Sequence, residues 1–147
     1  MLNIIIDGYN VIGTGHKDLK RERDLFIGFI NNFASQRKHS IIIVFDGHSG
    51  NSFRENIDYF GNVKVIYTPI GSTADSFIIN YIKKNRKKWL VVSSDNYIKD
   101  EAWNINCVPV DSNIFLEILS YHDYEFEVPA YLPYKRVKEL KKTLNKL

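Results

Sequence analysis

The stretch "NIIIDGYNVI", residues 3–12, sets the frame for the whole chain. A run of β-branched apolar residues reaches Asp7 and then breaks into Gly8, Tyr9 and Asn10. A second stretch, "SIIIVFDG" at 40–47, repeats the arrangement, and "WLVVSSD" at 89–95 is a third variant. These runs are nearly continuous rather than alternating, which marks strands covered on both faces, as in a parallel sheet between helical layers. Strands are expected at 3–7, 40–46, 63–67, 89–93 and 106–110. Segments of helical period lie between them: "LFIGFINNFASQ" with Leu25, Phe26, Phe29, Ile30 and Phe33, "DSFIINYIKKN" with Phe77, Ile78, Tyr81 and Ile82, and "NIFLEILSYH" after the fifth strand. The alternation predicts an α/β, Rossmann-like three-layer sandwich with a mainly parallel sheet of about five strands. Residues 47–62, with Gly47, Gly50 and Gly61, form the least regular stretch and read as a mobile loop.

The chain has 147 residues, enough for one domain with one sizeable core. Hydrophobic residues make up 44% and charged residues 25%, which excludes a disordered chain. No apolar run approaches the roughly 20 residues that cross a bilayer, and no basic segment precedes a long apolar stretch, so neither a membrane partner nor a secretory signal is expected. The single Cys107 cannot make an internal disulfide, and a cytoplasmic location follows. Charge is uneven. Between Tyr134 and Leu147, six Lys or Arg face one Glu, while the rest of the chain carries 14 basic and 16 acidic residues. Pro129 and Pro133 separate this basic segment from the body. The expected organisation is therefore a domain over 1–128 and a basic helical extension over 129–147. Such a tail suits a polyanion such as RNA, or equally a solvated amphipathic helix with Val137, Leu140 and Leu144 on one face.

In an open parallel sheet, ligands bind beyond the carboxyl ends of the strands, and right-handed crossovers bring those ends to one edge. Asp7 and Asp46 end two strands, Asp95 follows a third, and Asp75 lies in "GSTADSF", at the start of the helix after 63–67. Each has a plainer explanation. Asp7-Gly8 and Asp46-Gly47 could be turns, Ser72 with Asp75 a helix start, and Asp95 the cap of a short helix through "NYIKDEAW". Together they are harder to explain that way. Two carboxylates 4 Å apart repel by about 4 kcal/mol at an effective dielectric near 20, so a cluster of them calls for a cation. A hard divalent ion with oxygen ligands reverses the sign.

"IIIDGYNVI", "IIIVFDG", "GSTADSFI" and "VVSSD", in this order and spacing, resemble the NYN branch of the PIN-like nucleases, and within it the bacterial YacP type implicated in ribosome-associated mRNA cleavage. The resemblance covers Asn3 through the helix at 113–121, and the basic C-terminal segment also fits. It implies a Rossmann-like sheet, a divalent-metal site (Mg²⁺ or Mn²⁺, one or two ions) made from Asp7, Asp75 and Asp95 with Asp46 beside it, and single-stranded RNA as substrate, with mRNA and the ribosome as partners. Asn10 matches the family's polar residue after the first strand. Many PIN-like nucleases carry an acid directly after the fourth-strand Asp; here Asn96 stands there and the next acid is Asp100.

On this reading Asp7, Asp46, Asp75 and Asp95 are the catalytic set, with Asp46 orienting water or holding a second ion. Asn10, Thr73 and Ser94 either meet phosphate oxygens or fix the carboxylates, local capping being the alternative. Lys17, Lys20, Arg21 and Arg23 beyond the first strand, and Arg54 in the 47–62 stretch, could hold flanking phosphates. Phe53, Tyr59 and Phe60 could stack unpaired bases or pack on the sheet. "KKNRKK" at 83–88 lies at the far end of its helix, where it complements the dipole and reads as a solvated face or a ribosome contact. "GYNVIGTGHK" fails as a phosphate-binding loop because Thr14 stands where Lys is required, and no G-x-S-x-G elbow occurs. The four histidines show no ligand spacing, although His48 could approach the site as a proton donor. The alternative function is a catalytically weak or inactive RNA- or ribosome-binding module of the same fold. A phosphatase is disfavoured, because no second Asp follows Asp7 two residues on.

Overall fold

A computed structural model of the protein describes residues 2–47 and 56–122. The five central and outer parallel strands are β1 (Asn3–Asp7), β2 (Ser40–Phe45), β4 (Val63–Tyr67), β5 (Trp89–Val92) and β6 (Val108–Val110), and β3 (Asn56–Phe60) joins them antiparallel. The sheet order is β3-β4-β2-β1-β5-β6. The helices are α1 (Gly8–Ile12), α2 (Leu19–Arg37), α3 (Ala74–Lys84), α4 (Asn96–Asn104) and α5 (Ser112–His122).

Two cores explain the continuous apolar runs. Ile4, Ile6, Ile41, Ile43 and Phe45 face Phe26, Phe29 and Ile30 of α2, Val11 and Ile12 of α1, and Phe115 and Leu119 of α5. Ile5, Ile42, Val44 and Val91 face Ile78, Ile79 and Ile82 of α3 and Ile98 and Ala102 of α4. β1 and β2 thus bury alternate residues in the two layers, so their apolar runs leave no polar position to show a period of two.

One expectation is corrected, and one alternative is set aside. The irregular stretch 47–62 contains a strand: residues 56–60 pair with β4 as a hairpin closed at Gly61, with Tyr59 opposite Lys64. All five β3 residues are exposed, so hydrophobic patterning left no trace of it. The Asp7-Gly8 step is not a loop turn either, because Gly8 opens the five-residue helix α1. A Cβ at Gly8 would collide with the Phe45 ring, and one at Gly47 with the Thr68 carbonyl oxygen. Both glycines are there for close packing. β1 and β4 keep their expected bounds, and β2, β5 and β6 shift by one or two residues at one end. The expected basic extension over 129–147 lies outside the described residues, as do His48, Phe53 and Arg54. No described helix is long and apolar enough to cross a membrane.

Candidate functional site

Strand order reverses between β1 and β5: the chain runs outward from β1 through β2 to β4, then returns to the other side of β1 at β5. That reversal opens a crevice at the carboxyl edge, the position at which open α/β sheets bind ligands. Asp7 closes β1 there, only 8% exposed. The Ser93 hydroxyl, fully buried just past β5, donates to Asp7 Oδ2 at 3.1 Å and accepts from the Asp95 amide at 3.1 Å. One hydroxyl therefore ties the first acid to the loop carrying the third.

Burial raises the Asp7 carboxyl from 3.8 to about 6; the Ser93 bond opposes the rise, and the charges of Asp75 and Asp95 add to it. Asp75 and Asp95 thus act on Asp7, although the three come from different segments of the chain. Asp75 stands in the first turn of α3. Thr73, not Ser72, caps that helix, its hydroxyl accepting from the Ser76 amide at 3.3 Å. Asp95 caps α4, with Oδ1 accepting from the Ile98 amide at 3.0 Å. The capping alternatives for Thr73 and Asp95 are therefore realised, and for Asp95 the cap uses one carboxylate oxygen.

Asn10 fixes the rim. Its Oδ1 accepts from the Ser94 amide at 2.8 Å and from the Ser112 hydroxyl at 2.6 Å, joining α1 to the loop after β5 and to the start of α5. Asp46 lies just past the end of β2. It lines a cavity of about 220 Å³ between the end of β2 and residues 69–73, together with Gly47, Ile70 and Thr73. Arg21 is on the exposed first turn of α2, where its amide meets Asp18 Oδ1. Arg23 reaches further in. Its Nη1 donates to the Tyr9 hydroxyl at 3.0 Å while the guanidinium lies 5.4 Å from the Tyr67 ring centroid. Tyr59 and Phe60 are on β3, not in a loop.

Two residues escaped sequence reasoning. Ser93 was legible only as the first of a serine pair, and which of the two faced inward needed the strand pleat. Asp111, at the end of β6, is a further acid on this edge. Lys99 binds its Oδ2 at 3.0 Å and holds its carboxyl below the usual range, so it is already neutralised.

Among the described residues, no group of three or more His, Cys, Asp or Glu side chains is gathered tightly enough to hold one ion. The acids share a field without forming a closed cage. That donor set suits a hydrated Mg²⁺ or Mn²⁺, which keeps several waters and takes one or two carboxylates. A carboxyl raised by burial, with two like charges adding to the rise, is what a divalent cation would relieve.

Comparison with known proteins bears on the fold and the family. The crystal structure of Rae1 (YacP) from Bacillus subtilis aligns with a TM-score of 0.64 at 20% identity, over 99% of this chain and 81% of that one. Its W164L mutant aligns with a TM-score of 0.65 at 18% identity, over 99% and 80%. No curated protein matches. At this identity the two structures establish a shared fold. The model of the YacP-like NYN domain matches residues 4–146, nearly the whole sequence, and the chain therefore belongs to that nuclease-like family.

Proposed function

We propose that the protein is a divalent-metal-dependent endoribonuclease that hydrolyses phosphodiester bonds in single-stranded RNA, with mRNA at the ribosome as its setting. One observation carries the reading: a buried carboxyl, Asp7, at the switch point of the sheet, raised to about 6 with Asp75 and Asp95 among the causes. Gathering acids where ligands bind is destabilising in isolation and useful only to a site that meets a cation.

Of Asp7, Asp75 and Asp95, one or two would hold the ion directly and the remainder would act through its bound waters. When bound, Mg²⁺ or Mn²⁺ supplies charge neutralisation at the scissile phosphate and a nucleophilic water at neutral pH. The chain's own residues do the rest. Ser93 orients Asp7 and restrains the Asp95 loop. Asn10 locks that loop to α1 and α5, so the acids keep their spacing as substrate arrives. Asp46, facing the adjacent cavity, orients the attacking water, with Thr73 on the same wall. Ser94, Arg21 and Arg54 are assigned to phosphate oxygens of the strand.

The rival reading, an RNA-binding module without turnover, draws on the absence of a closed three-acid cage among the described residues. Incubation of the protein with labelled single-stranded RNA in Mg²⁺, in Mn²⁺ and in chelator separates the two. Internal cuts that disappear with chelator and in Asp7→Asn support the nuclease. Tight binding without cuts under every metal condition refutes it.

A further inference from the structure

The opposite edge of the sheet carries a surface that the acidic crevice does not use. α3 and α4 cover β1, β2, β5 and Ile66 of β4 on one face of the sheet, but the edge strand β3 is exposed along its whole length. On that strand Tyr59 is 71% exposed and lies directly across the ladder from Lys64. A groove of about 260 Å³ runs from Tyr59 and Lys64 to Tyr81, Lys87 and Trp89. Each lysine lies near an aromatic ring: Lys64 Nζ is 5.7 Å from the Tyr81 centroid, and Lys87 Nζ is 5.7 Å from that of Trp89. Tyr81 and Trp89 meet edge to face at 5.8 Å, and the indole N–H donates to the Asn85 carbonyl at 2.7 Å. The Tyr81–Trp89 wall of the groove is therefore held in place.

Charge is concentrated at the same end. Five of the six residues 83–88 are Lys or Arg, all six are exposed, and Glu101 pairs with Lys83 at 3.1 Å. Asp58, next to Tyr59 in β3, points to the other face by strand alternation. Ser40, Val63 and Trp89, which line or flank the groove, begin their strands, whereas Asp7 ends β1. A five-residue strand spans about 17 Å, which sets the separation of groove and acids along the strand direction.

An exposed aromatic ring on an uncovered sheet face, with lysines beside it, is the chemistry that receives an unpaired base and its phosphates. We infer that the groove lined by Tyr59, Lys64, Tyr81 and Lys87 is a second RNA-binding site, holding a single-stranded segment remote from the cut. Tyr59 stacks on a base, and Lys64 and Lys87 meet the flanking phosphates. The choice of RNA over another polyanion rests on the proposed function; the groove does not depend on cleavage.

The test uses the full chain carrying Asp7→Asn, in chelator, with a fluorescent single-stranded RNA of about a dozen nucleotides. Anisotropy is followed against salt. Tyr59→Ala, at an exposed position that tolerates truncation, is expected to weaken binding about tenfold with little change in salt slope. Lys64→Ala with Lys87→Ala is expected to weaken it and flatten the slope by roughly 0.7 per lysine. Far-UV circular dichroism confirms that the variants fold. Unchanged affinity in both variants overturns the proposal. Equal binding of a duplex of the same length overturns it too, since a paired base cannot stack on Tyr59. Displacement by an acidic peptide as effective as RNA assigns the groove to a protein partner and also overturns it. If wild-type protein never cuts RNA yet Tyr59→Ala loses binding, the nuclease reading fails and the groove stands.

Discussion

Replacing Asp7 by Asn is expected to stabilise the metal-free protein at neutral pH. The Asp7 carboxyl titrates near 6 in the fold against 3.8 in its ordinary setting. Between these values the native state binds more protons than the unfolded chain, so stability falls as pH rises. The difference of 2.2 pH units corresponds to about 3 kcal/mol, fully expressed above pH 6 and absent below pH 4. Asn carries no charge to desolvate, and its carbonyl oxygen can still accept from Ser93. For a chain of this length a gain of that size raises Tm by about 6–12 °C at pH 7.5, with no difference at pH 4. The assay is thermal or urea unfolding of both proteins from pH 4 to 8 in chelator. Adding Mg²⁺ should then raise the wild-type Tm and leave Asp7→Asn nearly unmoved, because an ion bound only by the native state stabilises it by mass action. An Asp7→Asn protein less stable than wild type at pH 7.5 would falsify the argument, as would a pH-independent difference.

Ser93→Ala removes the hydroxyl that opposes the rise of the Asp7 carboxyl, so the acid limb of the cleavage profile should move to higher pH; a profile that stays in place refutes the link. Asn10→Ala leaves the Ser94 amide and the Ser112 hydroxyl without their shared acceptor, and urea unfolding should show a loss of about 1–3 kcal/mol. Gly8→Ala drives a methyl group into the Phe45 ring and is expected to cost about 1–3 kcal/mol, read as a lower denaturation midpoint. A Gly8→Ala protein as stable as wild type would mean that the Phe45 ring moves aside at no cost.

The local chemistry of the chain was enough to place most of the fold. Ile4–Ile6, Ile41–Val44 and Val91–Val92 read as strands buried on both faces because both faces truly are covered. The repeated Asp at strand ends marked one edge of the sheet because parallel crossovers leave no other arrangement. What stayed hidden depends on neighbours distant in sequence. β3 is exposed along its whole length and exists by hydrogen bonding to β4, so no pattern of its own announced it. Only the strand pleat turned Ser93 inward to Asp7 and left Ser94 to Asn10. Asp7 and Asp46 both precede a Gly at a strand end, yet packing alone decides that Asp46 lines the cavity with Thr73 while Asp75 and Asp95 act on Asp7. Periodicity reports which face of an element is buried, and the sequence determines that directly. Which charges meet across the crevice is a matter of a few ångströms between elements, and only tertiary packing decides it.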